Sequence, residues 1–111
     1  MVLLFCILKD YRIVEDILLA FLEHDITGAT LIEGQGMGQI LGDVPIFADV
    51  RGMFPGSAHD SQVLFSVLEA QDAHKAMNLV EEICGDLSQP GSGLCFTVPV
   101  GSSRGISPRL P

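Results

Sequence analysis

Two glycine-rich segments are the residues of this chain best suited to hold a small ligand. The first, Gly34-Gln-Gly-Met-Gly38, follows a predicted strand, and the second, Pro90-Gly-Ser-Gly93, precedes another. Neither predicts a dinucleotide-binding fingerprint or a P-loop, because no helix is expected to open after the first segment. Backbone N–H groups in such turns bind anions, although glycines also serve turn geometry alone. Two turns that border strands of one small sheet can flank a single cleft.

Residue types that catalyse reactions or bind metals are present, but their spacing indicates neither activity. Ser57, His59 and Asp60 are close in sequence, whereas catalytic triads are assembled in space and need no adjacency. No nucleophile elbow is expected, and the spacing of His24, His59 and His74 matches no zinc site. We therefore predict no catalytic residue, no metal ligand, no required cofactor and no enzymatic activity.

Composition limits the partners of the chain. The 111 residues are enough for one domain, and the formal net charge of −8 argues against binding to nucleic acid or to anionic lipid. No apolar run reaches the length of a membrane-spanning helix, so no membrane insertion is expected. Three cysteines without a C-x-x-C pair are typical of reduced core thiols in a cytoplasmic protein.

Hydrophobic periodicity predicts four strands and two helices. The strands cover residues 2–8, 29–33, 62–69 and 94–100, and the helices carry apolar stripes at 13–22 and 73–87, the second capped by Asp72. Their order predicts a ferredoxin-like βαββαβ sandwich of class α+β, with four antiparallel strands and both helices on one face. The domain covers residues 1–100, and residues 101–111 are predicted to be a flexible tail.

The apolar content exceeds what one such domain can bury. Hydrophobic residues make up 48% of the chain, and the mean hydropathy is +0.42. The first predicted strand is apolar without alternation, which is typical of a strand covered on both faces. Because two helices cover one face of the sheet, the other face is expected to pack against further copies of the chain.

A long irregular segment, residues 36–60, separates the second and third predicted strands. It is apolar, whereas disordered segments are polar, so we expect it to dock on a partner. The residues predicted to contact that partner are Ile40, Leu41, Ile46, Phe47 and Phe54.

Three segments resemble the nitrogen-regulatory P-II family of trimeric signalling proteins. Residues 7–16 are similar to the end of its first strand and the start of its first helix, with Lys9 matching. Residues 26–38 are similar to its second strand and the turn that opens its T-loop, which here covers about 36–60. Residues 91–100 resemble its B-loop and fourth strand. The resemblance covers the chain to about Val100.

The resemblance implies a homotrimer with effector clefts between subunits, usually for adenine nucleotides, and a T-loop that docks on transporters or metabolic enzymes. The positions that it assigns to the ligand are Thr30, Gly36, Gly38, Gln39, Gly91, Gly93 and Arg104. Gln39 and Leu94 replace cations of the family, so three phosphates would lack compensation. A monophosphate, a cyclic nucleotide or another small anion is the expected effector.

Other functions of the same fold remain open from the sequence. One alternative is a metal-binding trimer that resembles the divalent-cation-tolerance family, and another is an adaptor that binds no ligand and acts through its loop. A small enzyme with its site between subunits is a third.

Overall fold

The structure is a computed structural model that describes residues 1–42, 44–46, 61–89 and 93–106. The strands are β1 (Val2–Leu8), β2 (Ala29–Gly34), β3 (Ser61–Leu68) and β4 (Leu94–Pro99), and the helices are α1 (Tyr11–Glu23), α2 (Met37–Gly42) and α3 (Ala70–Cys84). The strands form one antiparallel sheet in the order β2-β3-β1-β4. The predicted α+β class and antiparallel sheet are confirmed, and the arrangement is compatible with a ferredoxin-like fold.

Local hydrogen bonds set the starts of the two long helices. The Asp10 side chain accepts a hydrogen bond of 2.9 Å from the Arg12 N–H and thereby caps α1. The prediction that Asp72 caps the last helix is wrong, because the N–H groups of Asp72 and Ala73 both donate to the Glu69 carbonyl at 3.0 Å. The backbone is therefore already helical at Asp72, and Glu69 is the cap. Within the described residues, no helix is long and apolar enough to cross a membrane.

One face of the sheet and the two long helices share the hydrophobic core. Alternate residues of β1 and β3 are buried on this face, and they pack against apolar stripes of α1 and α3. The largest fully buried apolar side chains are Phe21, Leu4, Leu8, Ile17, Leu64, Val14 and Val80. The predicted stripe of the first helix is confirmed at Val14, Ile17 and Phe21. The prediction is wrong at Leu18 and Leu22, which belong to the same predicted stripe but are 36% and 60% exposed.

The opposite face of the sheet is apolar, and neither long helix lies on it. Cross-strand pairing arranges its side chains in three rows: Ile32–Val63–Ile7–Leu94, Thr30–Phe65–Phe5–Phe96 and Val67–Leu3–Val98. The rings of Phe5 and Phe96 stack with centroids 5.3 Å apart. On the edge strands, Ile32 and Leu94 are 51% and 52% exposed. Only one face of β1 is therefore covered by helices, and the second cover expected from its sequence is not supplied by α1 or α3.

Two neighbouring residues of α1 test which of its faces supports the fold. Replacing Phe21, which is 1% exposed, by alanine should cost about 3–5 kcal/mol of unfolding free energy through lost burial and a cavity. Replacing Leu22, which is 60% exposed, by alanine should cost no more than about 0.5 kcal/mol. Urea unfolding at one protein concentration measures both losses. Equal losses would contradict the assignment of the buried face.

Candidate functional site

The first glycine turn leads directly into the short helix α2. The Ile40 N–H donates to the Gly36 carbonyl at 3.0 Å, so Gly36 stands at the start of this helix. The prediction that no helix opens here is wrong. Periodicity cannot show a helix of six residues, and two of its residues, Gly38 and Gly42, are poor helix formers that lie buried in it. Gln39 lies half-buried on the same helix.

A lysine that the sequence did not assign to the site lies against this turn. Lys9 follows β1, and its Nζ donates to the buried Ser61 Oγ at 3.0 Å. A Cβ placed on Gly36 would lie 3.6 Å from both of these atoms, so the ammonium group lies beside the turn. Within the part of the chain that the structure describes, Lys9 has no carboxylate partner. Its positive charge thus lies beside the glycine turn.

The second glycine turn approaches the same strand from the other side. Gly93 has a φ of +134°, and a Cβ there would lie 3.1 Å from the Ile7 carbonyl oxygen. Both its conformation and its close approach to β1 therefore require glycine. Gly91 lies outside the described residues. Leu94, the first residue of β4, pairs with Ile7 of β1. The Gly93 turn therefore lies near the end of β1, which Lys9 follows.

The two turns lie at the same end of the sheet but at opposite edges. β2 and β4 are the edge strands, separated by two central strands, so about 14 Å lies between them. Lys9 extends from β1 within this interval. The two glycine turns therefore lie at one end of the sheet, as the hypothesis of a shared cleft requires. They are too far apart, however, for both turns of one subunit to bind the same phosphate.

Thr30 lines a separate cleft of about 580 Å³. This cleft lies between the turn before β2, the end of β3 and the start of α3, and Gly105 and Ile106 border it. Its walls combine apolar groups such as Phe65 and Ile106 with the carboxylates of Asp25, Glu69 and Asp72. Because these acids repel anions, the cleft suits an uncharged aromatic group better than a phosphate. Gly36, Gly38, Gln39 and Gly93 are absent from its described lining.

The remaining predicted ligand residue, Arg104, is exposed. It directly precedes Gly105, which borders the cleft. Residues 101–105 also match the letters of G-x-S-x-G, a pattern that in a nucleophile elbow stands between a strand and a helix. The described residues 101–106 follow β4 and contain no helix. Ser57, His59 and Asp60 lie outside the described residues.

The predicted partner-binding residues are only partly described. Ile40 is 50% exposed on α2, Leu41 is half-buried, and Ile46 is 81% exposed. Phe47 and Phe54 lie outside the described residues. With Met37 and Val44, which are 67% and 38% exposed, the described part of the segment presents four large apolar side chains to solvent.

The three cysteines are free, as predicted, but they lie closer together than their sequence positions indicate. Cys6 and Cys95 are directly opposite on β1 and β4, and Cys84 lies at the end of α3. Burial, with a smaller contribution from the neighbouring thiols, raises the pKa of Cys6 to about 12. Burial also raises the pKa values of Cys84 and Cys95, so all three favour the unreactive thiol form. Among the described residues, no group of acids, histidines and cysteines is arranged to hold a metal ion.

Neither a scan against protein-family models nor a search of curated proteins returns a match to this chain. The functional interpretation therefore depends on the residues and contacts described above.

The Gly93 turn can be tested against another glycine. Replacing Gly93 by alanine should cost about 1–3 kcal/mol of stability, because the side chain meets the Ile7 carbonyl at a disfavoured φ. Replacing Gly28 by alanine is the control, since a Cβ there meets nothing within 4 Å. Thermal midpoints of the two variants compare these costs. A Gly93 variant as stable as the Gly28 variant would contradict the geometry of the turn.

Proposed function

We propose that this chain is a P-II-like signal-transduction protein that senses a small anionic effector and regulates a partner protein through residues 36–60. The observation that carries the proposal is the convergence of the Gly36 turn, Lys9 and Ser61 at the sheet end where the Gly93 turn also lies. The resemblance of three segments to the P-II family and a sheet order compatible with a ferredoxin-like fold support it.

The charge at this end of the sheet favours one anionic group. Lys9 and the backbone N–H groups of a glycine turn attract a phosphate or a carboxylate, and a hydrogen bond to a charged group contributes about 1.5–3 kcal/mol. One ammonium group cannot compensate three phosphates, and each unpaired charge costs several kcal/mol to desolvate. The effector is therefore a nucleoside monophosphate, a cyclic nucleotide or another small anion.

The Thr30 cleft supplies the environment for an adenine ring. It is large enough for a base, with apolar walls from Phe65 and Val67 and a hydroxyl from Thr30. Its carboxylates keep the anionic part of a ligand away from it. In this proposal the base and the anion occupy different surfaces, and neighbouring subunits of the assembly bring those surfaces together.

The sheet face opposite α1 and α3 is the surface through which the chain forms a homotrimer. Its three apolar rows gain burial only if another surface packs on them, and apolar burial contributes about 25 cal/mol per Å². The site is incomplete without this assembly, because one subunit keeps the two glycine turns about 14 Å apart. The proposed location is the cytoplasm, and the proposed partner is a transporter or a metabolic enzyme.

Removing the ammonium group of Lys9 tests the effector site. Thermal shift first identifies a ligand among AMP, cyclic AMP, bicarbonate, 2-oxoglutarate and ATP with magnesium. Calorimetry with that ligand should then show binding to the Lys9→Met variant weakened about ten- to a hundredfold. The control is Lys75→Met, which removes an equal charge from the exposed side of α3.

Equal affinity of the two variants would show that the anion binds elsewhere. If no compound of the panel raises the melting temperature while the protein is trimeric, the effector proposal is wrong and the ligand-free adaptor of the same fold replaces it.

A charge on the apolar sheet face tests the assembly. Phe96 is 40% exposed and stacks on Phe5. Replacing it by glutamate would place a charge in the proposed subunit interface, where burial of an unpaired charge opposes association. We expect Phe96→Glu to sediment as a monomer and Lys75→Glu, on α3, to sediment like the unmodified protein. Identical sedimentation of both variants would exclude this face as the interface, provided circular dichroism shows both to be folded.

A further inference from the structure

The outer side of α1 carries an apolar patch that the fold does not use. Tyr11, Leu18 and Leu22 follow one another at intervals of seven and four residues, and Leu19 lies beside them. At 100° per residue these four side chains occupy a sector of about 100°. Tyr11 is 53% exposed, Leu18 is 36% exposed, and Leu19 and Leu22 are each 60% exposed. We refer to these four residues as the α1 patch.

The α1 patch is specific to this helix. The buried side of α1 is formed by Val14, Ile17 and Phe21, so the patch contributes little to the core. The outer side of α3, in the same layer, is polar instead: after Ala70, its exposed residues are Gln71, His74, Lys75, Asn78, Glu81 and Glu82. Since the helices lie on the face of the sheet opposite to the apolar rows, packing through those rows leaves the α1 patch accessible.

Acidic side chains lie within the α1 patch and along one side of it. Glu15 lies between Leu22 and Leu19 around the helix, and Asp16 and Glu23 are exposed beyond Leu19. Arg12 is the one basic residue of this helix; it lies between Leu19 and Glu23 around the helix, and its guanidinium Nε is 3.6 Å from the Asp10 carboxylate. The three carboxylates of Glu15, Asp16 and Glu23 outnumber this cation, so the net charge beside the patch is negative.

The negative charge beside the patch favours one class of binding partner over two others. A second copy of the chain would place acidic borders against each other, which disfavours self-association. An anionic lipid surface would be repelled in the same way. An amphipathic helix with lysines or arginines beside its apolar stripe can pack on the leucines and form ion pairs with the carboxylates. With 13 residues, α1 is about 20 Å long and can contact about three turns of such a helix.

We propose that the α1 patch binds an amphipathic helix of a partner protein whose apolar stripe packs on Leu18, Leu19 and Leu22 and whose basic residues pair with Glu15 and Glu23. This docking surface is independent of the anion site and of the sheet-face assembly. It provides a second contact with a protein partner, on the outside of the helical layer.

Two synthetic peptides test the proposal. Both are 14-residue amphipathic helices with leucine at the same positions, and one carries lysine where the other carries glutamate. Fluorescence anisotropy should show the lysine peptide binding at least tenfold more tightly than the glutamate peptide. A double variant with Leu19→Ser and Leu22→Ser should lose at least tenfold in affinity while its circular dichroism is unchanged.

Charge reversal supplies the matched control. The variant with Glu15→Lys and Glu23→Lys should prefer the glutamate peptide, whereas the variant with Glu81→Lys and Glu82→Lys, which has the same net charge, should keep the original preference. Equal effects of the two reversals would show non-specific electrostatics and overturn the proposal. Unchanged peptide binding by the serine variant would also overturn the proposal. A lower assembly mass of the serine variant than of the unmodified protein would overturn it too, because it would identify a second copy of the chain as the occupant of the patch.

Discussion

The constraint on which this structure depends is that a sheet has two faces and two helices cover only one. The buried half of β1 and β3 packs on α1 and α3 and forms the core. The other half is equally apolar, and its rows run from Ile32 and Thr30 on one edge to Leu94 and Phe96 on the other. This face explains the excess of apolar residues in an acidic chain, and it links the proposed function to assembly.

The antiparallel order also determines where chemistry can occur. The end of β1, the end of β2 and the starts of β3 and β4 meet at one end of the sheet, so residues as distant as Lys9, Gly36, Ser61 and Gly93 become neighbours or near neighbours. The opposite end holds the Thr30 cleft with its acidic walls. The Lys9 ammonium group and the carboxylates of the Thr30 cleft thus lie at opposite ends of the sheet.

The strands and long helices were predictable because each carries a recognisable apolar pattern, an unbroken apolar run in Val2–Leu8 and a stripe at three- and four-residue spacing in α1. The short helix α2 and the start of α3 were not, since one and a half turns carry no measurable period and a good helix former such as Ala70 can precede Asp72. Lys9 was missed as a site residue because its contacts with Ser61 and Gly36 arise from strand pairing, which connects residues 52 positions apart. Pairing of β1 with β4 likewise brings Cys6 opposite Cys95.

The mass of the unmodified protein tests the central claim most directly. If the apolar sheet face is a subunit interface that completes the effector site, native mass spectrometry should show about three times the chain mass of 11.9 kDa. A single species of one chain mass at micromolar concentration would contradict the account, because the sheet face would then remain uncovered and the two glycine turns would stay apart.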